Sequence, residues 1–521
     1  MFLSKKQNLI LFALFFSANF VIQAKESIPK PKFLLTRADQ TKDKTPEKEN
    51  LKDAEKDIYQ WLRTVSEVVT LVEQKAFRDV DFSSFIQKSM QAAVPSIDSH
   101  SAFFTAEEVK KTNEKTSGEF GGLGVSVISK ATADDALLII GVTETGPAQK
   151  AGIKTHDKII EIDGKKLRDL DSEKVIEEML KGKVGTTVKL TVIRENKDDP
   201  KDRKILEFKI KREIIKDQTS LCYFFKDQNI YYLSLRLFTQ TASNQIEELI
   251  KKANDGACKG IILDLRRNPG GILDSVVEMS GLFIDKKSLV VSTKDRSGKT
   301  LSKYYTNTDP ILKSDIPIFI LIDNFTASAS EILAGTLKYY SDKASEESGK
   351  KQRNLMVFLA GTPTFGKGSV QEVIPIGNGC ALKLTTMLYY LPNQESIQAV
   401  GIKPDFIIKP KTIPEQELKL VKEFYGKESS LKNHITPKET GKEEKKEEKD
   451  KSKKETEKSW DEKQKAAINQ DVQIKGCVNL INLLDIAKKC SPKLVETRQK
   501  ALKFLKQNYL TDQEVPLEKV K

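Results

Sequence analysis

Two almost uninterrupted apolar runs, Gly260-Ile-Ile-Leu-Asp-Leu265 and Ile316-Pro-Ile-Phe-Ile-Leu-Ile322, do most to constrain how this 521-residue chain can fold. Such a run has no polar face, so it must be covered on both sides, as in the interior strand of a parallel sheet. Each run passes into a turn and then a helical stretch, one from about Leu273 and one over Ile332 to Tyr340. That is the βα repeat of an α/β domain, and it extends from Tyr231 to about Pro410.

The flanking segments have different periods. Within residues 25–116, Ile58, Leu62, Val65, Val68, Val69 and Val72 recur at helical spacing. The turn Ser96-Ile-Asp-Ser-His-Ser-Ala-Phe-Phe104 interrupts these helices. Residues 117–214 read as a compact β-rich module opened by Gly121-Gly-Leu-Gly-Val125. In it, Gly146 to Gly152 reads as a short helix ended by glycine. Asp157 to Gly164 reads as a strand entering an Asp-Gly turn. Ser172 is expected to cap a helix through Leu180, and Thr186 to Arg194 alternates like a strand. Residues 215–410 form the α/β core, with 342–353 as a polar surface insertion. Residues 411–465 are a charged linker, and 466–521 a helical segment expected to form a hairpin between Val478 and Tyr509.

The first 24 residues read as a secretory signal: Lys5 and Lys6, an apolar stretch from Leu9 to Ile22, then Ala24 as the cleavage residue. That stretch is short of the ~20 residues a membrane span needs. Export, to the periplasm or envelope of a bacterium, is the expected destination. Five cysteines form no metal-ligand spacing, and their odd number excludes complete internal pairing. Cys477 and Cys490 could bridge two C-terminal helices or remain buried thiols. The net charge of +13 is dispersed in mixed Lys/Glu runs without interleaved aromatics, which argues against nucleic-acid binding.

Four elements could carry chemistry. Thr326-Ala-Ser-Ala-Ser-Glu331 lies between an apolar strand and a helix, where α/β folds keep their sites. Ser328 or Ser330 could be a nucleophile there, or could simply cap the helix. Lys367, 39 residues after Ser328, stands in Gly361-Thr-Pro-Thr-Phe-Gly-Lys-Gly368. This resembles the start of a phosphate-binding loop, but Gly368 occupies the required Ser/Thr position and a strand pattern follows. A lysine can activate serine if its surroundings lower its pKa. The third element, Asp264 to Gly271, ends in Pro-Gly-Gly, whose amides could stabilise an oxyanion. The fourth, Gly122-Leu-Gly-Val125, could capture a terminal carboxylate on its amides. Of the three histidines, only His100 has a position that leaves a catalytic role open.

Together and in this order, these elements resemble the carboxyl-terminal processing (tail-specific) proteases, from roughly Asp53 to Asp405. Asp98 to Phe104, Gln371 and Gly401-Ile-Lys-Pro-Asp405 also match. The resemblance implies an α/β multidomain fold. Its βα-rich catalytic core would be crotonase/Clp-protease-like, with an inserted PDZ-like module and helical N- and C-terminal regions. It implies a serine endopeptidase with Ser328 as nucleophile, Lys367 as general base and Gln371 as its orienting partner. Gly271 and Ala329 would supply the oxyanion amides, and Gly122, Leu123, Gly124 and Val125 would bind the substrate's C-terminus. Substrates would be proteins with apolar C-terminal tails, and no metal, nucleotide or other cofactor would be needed. The alternatives are an inactive PDZ-like scaffold on the same fold and a His100-assisted hydrolase. The insertion at 342–353 lengthens the Ser-to-Lys interval beyond the family's habit. The segment after Lys427 has no family counterpart, which leaves self-assembly, an adaptor or envelope attachment open as its role.

Overall fold

The computed structural model describes residues 47–129, 136–167, 175–195, 202–216, 219–343, 353–410 and 460–509. The signal segment, the Ser172 cap, the charged linker and most of the 342–353 insertion lie outside them. The chain divides into two compact units, 1–85 and 86–521. In the first, helix α1 (Glu47–Lys75) is followed by the start of α2 (Phe82–Ala93), and the stripe residues Ile58, Leu62, Val65 and Val68 are exposed.

The second unit is built on a six-stranded sheet. Its strands are β10 (Ser220–Phe225), β11 (Ile230–Leu235), β12 (Gly260–Asp264), β15 (Ile318–Ile322), β16 (Val357–Gly361) and β19 (Phe406–Ile407). They lie in that order, all parallel except the β10–β11 pair. Successive side chains of a strand point to opposite faces. Ile261, Leu263, Ile318 and Ile320 therefore pack with one core cluster, and Ile262, Phe319, Leu321 and Phe358 with another. Helices α4 (Ala242–Asp255), α5 (Leu273–Gly281) and α6 (Ala329–Lys343) contribute Ile246, Val276 and Leu333 to the first cluster.

The C-terminal segment covers the other face. Its described part holds three helices: α7 (Trp460–Gln470), then α8 (Val472–Cys490) and α9 (Arg498–Asn508), which form the helical pair expected between Val478 and Tyr509. Cys477, Leu480, Ile481 and Leu484 of α8 are fully buried against Ile262 and Phe319. Each such leucine or isoleucine contributes about 1.5–3 kcal/mol by leaving water. At Gly260 a Cβ would stand 2.9 Å from Ile481, so only glycine admits the helix this closely. Arg498 is 1% exposed and binds the Val357 carbonyl, Asp342 and Asp405. Cys477 and Cys490 lie on one helix, so they do not bridge two; the described cysteines are all free thiols.

A second sheet runs β1 (Ala102–Phe104), β18 (Ala381–Tyr390), β13 (Leu289–Lys294) and β14 (Thr300–Tyr305), with β17 (Ser369–Pro375) also paired to β18. The stretch read as a turn between helices thus includes a strand of this sheet, with Ala102 opposite Lys383. The β-rich module has its own sheet. It comprises β3 (Val125–Ser129), β4 (Leu137–Val142), β5 (Lys158–Ile162), β7 (Thr187–Glu195) and β8 (Arg203–Lys211), with β6 (Lys165–Lys166) on β5. Asp163 and Gly164 both take positive φ in the turn after β5, as a type I′ turn requires. The stretch Val175–Leu180 is π-helical. Strands β2 (Glu119–Gly122) and β9 (Glu213–Lys216) pair with each other where the chain enters and leaves the module.

Candidate active site

Strand β15 delivers the chain to a tight corner. Asp323 Oδ1 accepts the amides of Arg267, Phe325 and Thr326. The Thr326 hydroxyl donates to the Leu265 carbonyl at 2.9 Å, tying the corner to the end of β12. Ser328 then adopts φ 56°, a left-handed conformation costly for a residue with a Cβ. Helix α6 starts at the next residue, and the Ile332 amide donates to the Ser328 carbonyl at 2.9 Å. The two candidate serines now separate. Ser330 is fully buried and its hydroxyl donates to the Asn268 carbonyl at 3.1 Å, whereas Ser328 is half-buried on the strained residue.

The Pro-Gly-Gly turn lies against this corner. Gly270 has φ 101°, and a Cβ there would meet the Ser328 Cβ at 2.8 Å and the Ala329 nitrogen at 2.9 Å. Gly271 has φ 141°, and its Cβ would fall 2.1 Å from the Phe238 carbonyl oxygen. Only glycines fit either place. The Phe238 amide donates to the Gly270 carbonyl and the Ile272 amide to the Phe238 carbonyl, a ladder that passes over the Gly271 amide. Ala329 is the first residue of α6, whose leading amides have no partner within the helix. Gly270 thus packs directly against the Ala329 amide, with Gly271 next to it in the chain.

Lys367 arrives from β16 through a segment without regular secondary structure. The Phe365 amide donates to the Thr326 carbonyl at 3.1 Å. Gly366 has φ 95°, and a Cβ on Gly368 would stand 2.7 Å from the Gln398 nitrogen, so the backbone on both sides of the lysine is closely packed. Strand β17, not a helix, follows Gly368, so the Gly361–Lys367 motif lacks the helix terminus that holds a phosphate.

Glu331 joins the two halves. Its Oε2 accepts the Ser328 and Lys367 amides, each at 2.9 Å, so the two nitrogens are separated by at most twice that distance. Its Oε1 accepts the Gly366 amide at 2.8 Å and the Thr364 hydroxyl at 2.5 Å. The carboxyl is fully buried. Burial pushes its pKa up to about 7, against the four hydrogen bonds, which favour the ionised form. Sequence reading used Glu331 only as a landmark. The signal was present: Ser328-x-x-Glu331 has the spacing of a capping box, in which the third residue's carboxylate accepts the cap residue's amide.

Gln371 lies on β17. Its Nε2 donates to Ser369 Oγ at 2.8 Å and Thr385 Oγ1 at 3.2 Å. The loop Gly122 to Val125 stands in the β-rich module. There the Leu123 carbonyl accepts the Ala148 amide and the Gly124 carbonyl the Thr143 amide, with Gly124 at φ 73°. His100 is half-buried in the turn before β1, its amide donating to Asp98.

Residues 229–408 match "Peptidase family S41" and residues 121–205 match "PDZ domain". A carboxy-terminal-processing protease of Bartonella bacilliformis is 33% identical over 389 residues, which span 74% of this chain and 83% of that protein. A "Probable CtpA-like serine protease" of Staphylococcus aureus is 31% identical over 349 residues, spanning 67% of this chain and 64% of that protein. Of solved structures, the photosystem II D1 C-terminal processing protease aligns at 21% identity with a TM-score of 0.36, over 65% of this chain and 84% of its own. The PDZ domain of a Vibrio cholerae carboxy-terminal protease, solved with a peptide, aligns at 26% identity with a TM-score of 0.16, over 19% of this chain and 97% of its own.

Proposed function

The chain belongs to the carboxy-terminal-processing proteases, serine-type peptidases of family S41, and we propose that it is an exported endopeptidase that cleaves protein substrates selected by apolar C-terminal tails, through Ser328 and Lys367. The PDZ loop Gly122 to Val125 takes the substrate's terminal carboxylate on its amides, while the adjoining strand edge pairs with the tail. At the corner, the Ser328 hydroxyl oxygen attacks the scissile carbonyl carbon as the Lys367 amine takes its proton. The carbonyl oxygen becomes an oxyanion held by the Gly271 and Ala329 amides. Collapse expels the leaving amine, which receives the proton from Lys367, and leaves an acyl-serine. Water, giving its proton to the Lys367 amine, then attacks the acyl carbonyl carbon; collapse breaks the bond to Ser328 Oγ, which takes the proton back from Lys367, and the acid is released. Gln371 orients the amine between these steps.

The observation that carries this reading is the Glu331 oxygen shared by the Ser328 and Lys367 amides, with Gly270 against the same corner. The test is cleavage of a protein ending in a free apolar tail by wild type, Ser328→Ala and Lys367→Ala. Loss of cleavage in both variants, with tail binding retained, is the expected result. Full activity in either overturns the dyad. Tail binding with no turnover in wild type would instead favour a scaffold.

The signal-like first 24 residues support delivery to a bacterial envelope. Cell fractionation and N-terminal sequencing of the mature chain test it. A cytoplasmic chain with an intact leader would refute it.

A further inference from the structure

The turn before β1, which the proposed reaction does not use, is linked by side chains to the partner of the lysine. Asp98 is 3% exposed. Its Oδ1 accepts the His100 amide at 2.8 Å, the Ser101 amide at 2.9 Å and the Thr385 hydroxyl at 3.0 Å. Its Oδ2 accepts the Ser101 hydroxyl at 2.5 Å. Burial acts to raise its pKa, but the hydrogen bonds from Ser101, His100 and Thr385 outweigh it and hold the carboxyl below its ordinary value. Asp98 is thus ionised at neutral pH, and an ionised carboxylate only accepts.

The Thr385 hydroxyl must therefore commit its one proton to Asp98. Toward Gln371 it offers only a lone pair, so the end of Gln371 that meets it is the amino group, Nε2, at 3.2 Å. The second Nε2 contact, to Ser369 Oγ at 2.8 Å, agrees with that direction. The carbonyl end of Gln371 is then the end left to accept an amine N–H. An amide can point either way by shape alone, and here the hydrogen-bond direction decides. The backbone holds the relay in register: the Thr385 amide donates to Ser101 Oγ at 3.1 Å, and β1 pairs with β18 beside it.

We propose that Asp98 is a positioning residue of the catalytic centre, acting through Thr385 to turn the Gln371 carbonyl toward Lys367. This rests on the role given to Gln371 above. Oδ1 of Asp98 also accepts two backbone amides, so an asparagine would keep its carbonyl there and still take the Thr385 proton; loss of that oxygen, as in Asp98→Ala, frees the hydroxyl proton to face Gln371. The Gln371 amide then turns over and presents a donor to a donor.

The experiment compares Asp98→Ala, Asp98→Asn, Thr385→Val, Gln371→Ala and the double variant Thr385→Val/Gln371→Ala in the full chain, measuring kcat, KM and Tm. Asp98→Ala and Thr385→Val are each expected to lower kcat about tenfold or more, the size of one lost charge-linked hydrogen bond, with KM near wild type, while Asp98→Asn, which keeps the acceptor, restores turnover to within a few-fold. Thr385→Val should hold Tm near wild type, whereas Asp98→Ala also leaves the His100 and Ser101 amides without their acceptor and lowers it. In the Gln371→Ala background, Thr385→Val should add no further loss. Normal kcat in Thr385→Val beside an impaired Gln371→Ala overturns the relay. So does a double variant whose losses multiply, because Thr385 would then act by another route. Should Asp98→Ala fail to fold, Thr385→Val carries the same test. Wild-type activity in Gln371→Ala would remove the role of Gln371 itself, and the relay with it.

Discussion

The backbone amides of Ser328 and Lys367 donate to one carboxylate oxygen, Oε2 of Glu331, each at 2.9 Å. The 39-residue interval between them, lengthened by the 342–353 insertion, is closed at its ends by this contact.

Glu331→Gln should lower kcat by about ten- to a hundredfold, because either orientation of the new amide sets an NH2 against two donors. The same residue gives stability and activity opposite pH dependences. Its pKa is raised from 4.5 to about 7, so the folded state binds the proton more tightly than the unfolded state. The resulting stability is full below pH ~4.5 and lost as pH rises through about 7. The four donors, however, require the carboxylate, so activity should increase over that window. Denaturation free energies between pH 5 and 8 should fall in wild type and lose this slope in Glu331→Gln.

Ser330→Ala should retain turnover within a few-fold and cost about 1 kcal/mol, the net worth of its hydrogen bond to Asn268. Ser328→Ala should leave stability near wild type and abolish cleavage. Parallel urea denaturation and tail-cleavage assays separate the two hydroxyls.

Gly270→Ala should reduce kcat by at least about a hundredfold, the scale of a lost oxyanion donor. The new Cβ would meet Ser328 Cβ at 2.8 Å, from a φ of 101° that alanine disfavours. A single-turnover acylation assay should show the loss in the first chemical step.

Arg498→Ala should destabilise the fold by about 3–5 kcal/mol, because Asp405 and Asp342 lose their shared cation. Burial alone would raise the Asp405 pKa, but Arg498 and then Lys338 hold it low, so the wild-type advantage should vanish as pH falls below the ordinary carboxylate range. A chain truncated after Pro410 would expose Ile262, Phe319 and Phe358 and should be insoluble. Urea titrations of the point variant and solubility of the truncation check both.

Some features were legible because they are local. The Gly260–Leu265 run could only be a strand covered on both faces, and β12 is buried at every position. Gly270 and Gly271 followed by a helical pattern could only be a tight βα turn, and both hold positive φ. Others depended on partners far along the chain. The Asp98 turn resembled a break between helices because nothing near it in sequence reveals Thr385 as its partner. The helices after Trp460 had no legible role because their apolar residues answer a sheet face built from strands far away in the chain, as Leu480 does with Ile262.

The sequence by itself determined the βα core, the PDZ module and the set of residues able to do acyl-transfer chemistry, since periodicity and side-chain type are local properties of the chain. Tertiary structure decided which serine stands on the strained corner and which hydroxyl is held by a carbonyl. It also decided that Glu331 joins the two ends of the interval, and that the C-terminal helices complete the core. These outcomes turn on hydrogen bonds and packing between residues brought close only when the sheet assembles. Neither composition nor spacing specifies which buried donor will meet which acceptor.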